Sequence, residues 1–178
     1  MSENYFKILN VPEKLLIDHN ELKKNYFNLL KQHSNDPILD PEKNKKDNIK
    51  KKDLIEAAYQ TLKDRITRIE HLLEIQGIEV ANDNKVPTQL ADLFSKVEEL
   101  LIQAKNDRSL LSELKKVHTS VLTEFSSASI ELARLEQAWD QGDSDNSDTL
   151  KKLRRKSALF SSIRSLEQNL RVAISESA

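Results

Sequence analysis

Apolar residues recur at helical spacing along nearly the whole chain, and the polar stretches between them are short. A first helix is expected over about residues 4 to 9, ended by Pro12. Asp18 and Asn20 are cap candidates for a second helix from about 20 to 33. Its apolar stripe is Leu22, Tyr26, Leu29 and Leu30, and its other face carries Lys23, Lys24 and Lys31. The segment 34–47 contains Pro37 and Pro41 and reads as a loop. A third, longer helix follows, with Leu54, Ile55, Ala58, Tyr59, Leu62, Ile66, Ile69, Leu72 and Leu73 in phase. Gly77 stands where a C′ glycine would end it.

The stretch 78–87, IEVANDNKVP, is polar and breaks the period, so it divides the chain into halves, 1–77 and 88–178, with a linker between them. Three helical stretches lie beyond it. The first carries Leu90, Leu93, Phe94, Val97, Leu100, Leu101 and Ala104. The second carries Leu111, Leu114, Val121, Phe125, Leu132, Leu135 and Trp139, and the third Leu150, Leu153, Leu159, Ile163, Leu166 and Leu170. The last two flank QGDSDNSD, which holds Gly142 and offers Asp148 as a cap. Long helices joined by so short a loop should lie antiparallel, as in a bundle. The pattern predicts an all-α chain with no internal repeat.

Composition sharpens that reading. Of 178 residues, 38% are hydrophobic and 32% charged, enough for a core with a heavily solvated outside. Two glycines and four prolines are too few for the turns of a sandwich or barrel, or for a glycine-rich phosphate loop. Without cysteine there is no disulfide, no thiolate nucleophile and no cysteine-ligated zinc or iron–sulfur centre. MSENYFKIL lacks the basic and apolar regions of a signal peptide, and no apolar run approaches the roughly 20 residues that span a bilayer. A net charge of -1 supplies no whole-protein field for nucleic acid or acidic membranes. A cytoplasmic protein is expected.

Candidate chemistry is sparse. His33 and Asp36 sit where the second helix runs into its loop and are the first pair to consider. The four histidines, His19, His33, His71 and His118, are scattered and form no H-x-x-x-H pair, so no metal is expected. Counted from Asp143, an EF-hand would need glycine at Asp148 and glutamate at Arg154, so Asp143, Asp145 and Asp148 read as a solvated turn and cap. The run EKNKKDNIKKKD (42–53) is interrupted by acids and has no aromatic to stack a base; it reads as a helix end rather than a nucleic-acid site. Leu93–Phe94 and Leu159–Phe160 are adjacent pairs, and a narrow core stripe holds only one member of each. The other is available to a partner. No nucleophile, base and orienting group assemble, so an interaction protein without a cofactor is expected rather than an enzyme.

The layout resembles the HscB-type J-domain co-chaperones of iron–sulfur cluster assembly. The resemblance is carried by NYFKILNVP at the start, by Leu22, Tyr26 and Leu29, and most strongly by IEAAYQTLKDRITRIEHLLEIQG (55–77). EEL and QAK (98–105), AWD (138–140), KLR (152–154) and the following IR extend it through the second half. It implies an N-terminal J-domain, a short first helix plus a helical hairpin, over 1–77, and a C-terminal three-helix bundle over 88–178. It also implies two partners and no catalysis of the chain's own. The basic face of the second helix (Lys23, Lys24, Lys31) and the following loop would dock on a DnaK/HscA-type ATPase chaperone. The tail would bind an IscU-type iron–sulfur scaffold through Leu90, Phe94, Glu98 and Leu159.

The family's HPD tripeptide falls on Ser34-Asn35-Asp36 counted from the start, or on His33-Ser34-Asn35 counted back from the third helix. Either register lacks the proline, which restores a backbone N–H and frees a fixed φ. The alternative implied by that departure is a J-like adaptor that no longer stimulates an ATPase and binds another client.

Overall fold

The computed structural model of the chain describes residues 3–34, 41–78, 88–104, 107–142 and 146–177. Among them every regular element is helical: α1 (Tyr5–Ile8), α2 (His19–Ser34), α3 (Pro41–Lys63), α4 (Arg65–Ile75), α5 (Thr88–Ala104), α6 (Leu111–Gln141) and α7 (Asn146–Ser177), with a 3₁₀ turn at Arg108–Leu110. The chain is all-α, as its periodicity predicts. Two compact units form, one of Met1–Val80 with Glu136–Leu150, the other of Ala81–Leu135 with Lys151–Ala178. The expected linker, 78–87, lies outside the described residues except for Ile78.

In the first unit, local capping places the short helix and the hairpin. The Asn4 side chain accepts from Lys7 N–H at 3.2 Å to start α1. Asp18 Oδ1 accepts from Asn20 N–H at 2.8 Å and Glu21 N–H at 3.3 Å, so Asp18 is the cap of α2 and Asn20 lies in its first turn. Phe6, Leu9, Leu15, Leu22, Ala58, Leu62, Ile69, Leu72 and Leu73 form a core with almost no solvent exposure. Each large member contributes about 1.5–3 kcal/mol of burial.

Two boundaries differ from expectation. Helix α3 begins at Pro41, inside the segment expected to be a loop. Proline is favoured at the first helical position, where its missing N–H has no partner to lose, and nothing in EKNKKDNIKKK breaks a helix. The expected third helix is also two helices. Asp64, at φ −82° and ψ 138°, interrupts it and caps α4, accepting from Ile66 N–H at 2.9 Å and Thr67 N–H at 3.1 Å. The freed carbonyls find new donors: Thr67 Oγ1 bonds Thr61 O at 2.6 Å, and the Arg68 guanidinium bonds Leu62 O. The apolar phase runs through the break, so periodicity alone reads across it.

Gly77 ends α4 as expected. It sits at φ +73°, its N–H reaches Glu74 O at 3.0 Å, and Ile78 N–H reaches Leu73 O at 2.9 Å, the paired bonds of a Schellman cap.

The second unit is built on the expected stripes of α5, α6 and α7, with Val97, Leu114, Val121, Leu132, Leu153, Ile163 and Leu170 buried. Phe125 packs on Phe160, ring centroids 4.8 Å apart. His118 Nε2 meets Glu167 Oε1 at 3.1 Å, and Lys156 pairs with Glu131, so polar contacts flank the seam between α6 and α7. Asp148 lies inside the first turn of α7 rather than at its cap, while Asp143 and Asp145 lie outside the described residues. Its carboxylate still favours the positive end of the helix.

Candidate functional site

Helix α2 turns one face inward, with Leu22 buried and Tyr26, Leu29 and Leu30 half-buried, while Lys23, Lys24 and Lys31 are exposed. Their positive charges occupy one side over two helical turns, a surface suited to an acidic partner. Phe27, absent from the predicted stripe, lies on this outer side and is 54% exposed. Its signal was present in the sequence: it is four residues from Lys23 and four from Lys31, so it shares their face. His33 and Ser34 are the last residues of α2, with side chains outside the described set, and Asn35 and Asp36 lie outside it altogether.

The hairpin is fastened beside this face. Tyr26 stacks on Tyr59 with centroids 4.2 Å apart and planes 17° from parallel, and its hydroxyl donates to Glu56. That bond holds the phenol protonated, pushing its pKa up to about 12. Glu56 accepts from Gln60 as well as from Tyr26, and both bonds pull its carboxyl below the ordinary range. On the inner side Asn25 donates to Leu9 O at 3.0 Å and Asn10 O at 3.1 Å, which fixes the rotation of α2 against the segment after α1.

Beneath the hairpin, Leu15 is held at both backbone ends. Its N–H donates to Asp140 Oδ1 at 2.7 Å, and its carbonyl accepts from buried Arg68 Nε at 2.9 Å. The other Asp140 oxygen accepts from Leu16 N–H at 2.8 Å. Four residues earlier on α6, buried Glu136 takes a two-pronged bond from Arg65, both contacts 2.7 Å. The Arg65–Glu136 pair and the Asp140 bonds to Leu15 and Leu16 thus fasten the end of α6 within the first unit, and Asp140 is the aspartate of AWD.

His71 is buried and accepts from Tyr5 N–H at Nε2, 3.0 Å away, with the Tyr5 ring stacked on it at 4.3 Å. Burial lowers its pKa, and the accepting Nε2 requires the proton on Nδ1. An adjoining cleft of about 680 Å³ is lined by Tyr5, Thr61, Thr67, Glu70 and Glu74, and the Thr67 hydroxyl there donates to Thr61 O. Among the described residues no three acidic, histidine or cysteine side chains gather as metal ligands, and no helix is long and apolar enough to cross a membrane.

On the second unit, Leu90, Phe94 and Glu98 follow one another at four-residue spacing along α5, the two apolar residues half-buried and the glutamate exposed. Ile102 continues the same ridge and is 68% exposed. Leu93 and Phe94 are both half-buried, whereas in the other adjacent pair Phe160 turns inward and Leu159 stays half-exposed. The ridge presents an apolar stripe with the Glu98 carboxylate in it.

No protein-family profile matches the chain. Co-chaperone protein HscB of Proteus mirabilis (strain HI4320) is 28% identical over 178 aligned residues, covering 94% of this chain and 97% of that protein. Among solved structures, HscB from Vibrio cholerae superposes with a TM-score of 0.70 at 22% identity, covering 98% of this chain and 99% of that one. Human co-chaperone HscB gives a TM-score of 0.64 at 17% identity, covering 96% of this chain and 82% of that one. The likeness runs through both units.

Proposed function

We propose, from its HscB-like character along the whole length, that this chain is a co-chaperone of iron–sulfur cluster assembly. It binds an IscU-type scaffold through the tail ridge of Leu90, Phe94 and Glu98 with Leu159. It presents that scaffold to a DnaK/HscA-type ATPase chaperone through the lysine face of α2 and the HSND segment. The chain performs no chemistry of its own; it couples delivery of one protein to the ATP cycle of another. The observation that carries this reading is coverage: the alignment with Co-chaperone protein HscB takes in 94% of the chain, tail included.

The exposed lysines support electrostatic steering, in which rim charges set encounter rate and orientation more than affinity. The half-buried apolar ridge supports a second, separate contact. Titration calorimetry of the full chain against an IscU-type scaffold tests the assignment. Saturable heat that Phe94→Ala weakens is expected, and absence of both heat and scaffold NMR shifts would remove the scaffold from the account. One observation favours a second reading. With Asn or Ser where the family keeps proline, the segment after α2 regains a backbone N–H and a free φ, as befits an adaptor that binds but no longer stimulates hydrolysis. The two readings share the tail and part company at the ATPase.

A further inference from the structure

We propose, resting on the co-chaperone reading, that Phe27 is the apolar anchor of the α2 docking face and seats in an apolar recess within an acidic surface of the ATP-driven chaperone. A single exposed apolar residue is ordinary on a protein surface. Two further features set this ring apart.

The first is charge. Lys23, Lys24 and Lys31 stand at i−4, i−3 and i+4 from Phe27, so cations border it along the helix in both directions. An aromatic centre bordered by charge is the arrangement of interface hot spots, where a desolvated ring carries the energy and the charged rim sets orientation. The acidic group nearby, Glu56, already accepts from Tyr26 and Gln60. Glu21 is exposed further back, in the first turn of α2.

The second feature is preorganisation. Tyr26 is fixed by its stack on Tyr59 and its bond to Glu56. The Phe27 ring lies against Tyr26 with centroids 5.1 Å apart and planes at 60°. A ring leaning on a fixed neighbour loses little rotamer freedom on docking, so most of its burial reaches the binding free energy. Nucleic acid also offers negative charge. However, Tyr26 and Tyr59 each use one face on the other, which leaves no row of free rings for successive bases, and a net charge of -1 gives no general attraction.

The anchor lies wholly on α2 and so acts irrespective of the HSND letters. Phe27 then governs how tightly the chaperone is held, and the segment after α2 governs what holding it does. The test is binding of the full chain to an intact HscA-type chaperone loaded with ATP, by biolayer interferometry at low and high salt, with helicity checked by circular dichroism. Phe27→Ala should weaken binding about 30-fold through faster dissociation and leave the salt slope intact, the loss expected of an aromatic hot spot. Phe27→Leu should recover most of it, and Lys24→Ala with Lys31→Ala should slow association and flatten the salt slope. Wild-type binding that Phe27→Ala changes less than about twofold overturns the anchor and leaves the co-chaperone reading standing. No wild-type binding at all overturns both. Phe27-dependent capture of a single-stranded oligonucleotide, without capture of the chaperone, overturns the anchor in favour of a nucleic-acid site.

Discussion

Asp140→Ala removes a carboxylate that accepts two backbone N–H groups, Leu15 at 2.7 Å and Leu16 at 2.8 Å. A hydrogen bond to a charged acceptor is worth about 1.5–3 kcal/mol, but these two differ in what replaces them. Leu15 has a fully buried side chain and a carbonyl gripped by Arg68, so its N–H cannot turn toward water. Leu16 is exposed, and water takes over most of its bond. The first loss is felt nearly in full and the second only slightly, for a total of about 2–3 kcal/mol. With a urea m-value of about 1.5–2 kcal/mol/M, the midpoint should fall by about 1–2 M. Asp140→Asn keeps one accepting oxygen and should cost about 1 kcal/mol. The assay is built in: the single tryptophan, Trp139, belongs to the same compact unit, so its fluorescence follows unfolding there. A midpoint for Asp140→Ala within about 0.2 M of wild type, on the scale of that m-value, would refute the reasoning.

Burial lowers the His71 pKa in the folded chain, so the unfolded chain binds the extra proton as pH falls below about 6.5. The stability this residue contributes is therefore complete above that pH and declines beneath it. Urea midpoints at pH 7.5 and 5.5 should fall more for wild type than for His71→Gln, and equal falls would contradict the buried neutral imidazole. Gly77→Ala meets no atom within 4 Å of the added Cβ, so its cost comes from φ +73° alone, about 1 kcal/mol. Gly77→Asn should cost less, because asparagine tolerates that region; a larger loss for asparagine in the same urea titration would point to a steric origin.

Helix identity, the Gly77 stop and the lysine face of α2 were all legible in the sequence, because each depends on local spacing or on one residue's conformational freedom. The break at Asp64 was not, since Leu62, Ile66 and Ile69 keep helical phase on either side of a cap that only side-chain hydrogen bonds reveal. The start of α3 is ambiguous in the sequence because proline is a breaker inside a helix and a favoured first residue of one. AWD was readable only as a likeness. Its physical role needs Asp140 brought to Leu15, 125 positions away, a contact no periodicity encodes. Phe27 is out of phase with the stripe of Leu22, Tyr26, Leu29 and Leu30, and an apolar residue on the charged face has no periodicity to mark it. The adjacent pair Leu159–Phe160 set an either-or question that packing on Phe125 answered.

The proposed coupling of a scaffold to an ATP-driven chaperone has to work with HSND (33–36), which begins in the last turn of α2, in place of HPD. Single-turnover ATP hydrolysis by the HscA-type chaperone, with an IscU-type scaffold present and with or without the full chain, measures that coupling directly. Hydrolysis should be faster when the chain is added, with a smaller gain at subsaturating chain when Phe27 is replaced by alanine. An unchanged rate at saturating chain and scaffold would contradict the coupling and leave an adaptor that binds without driving the cycle.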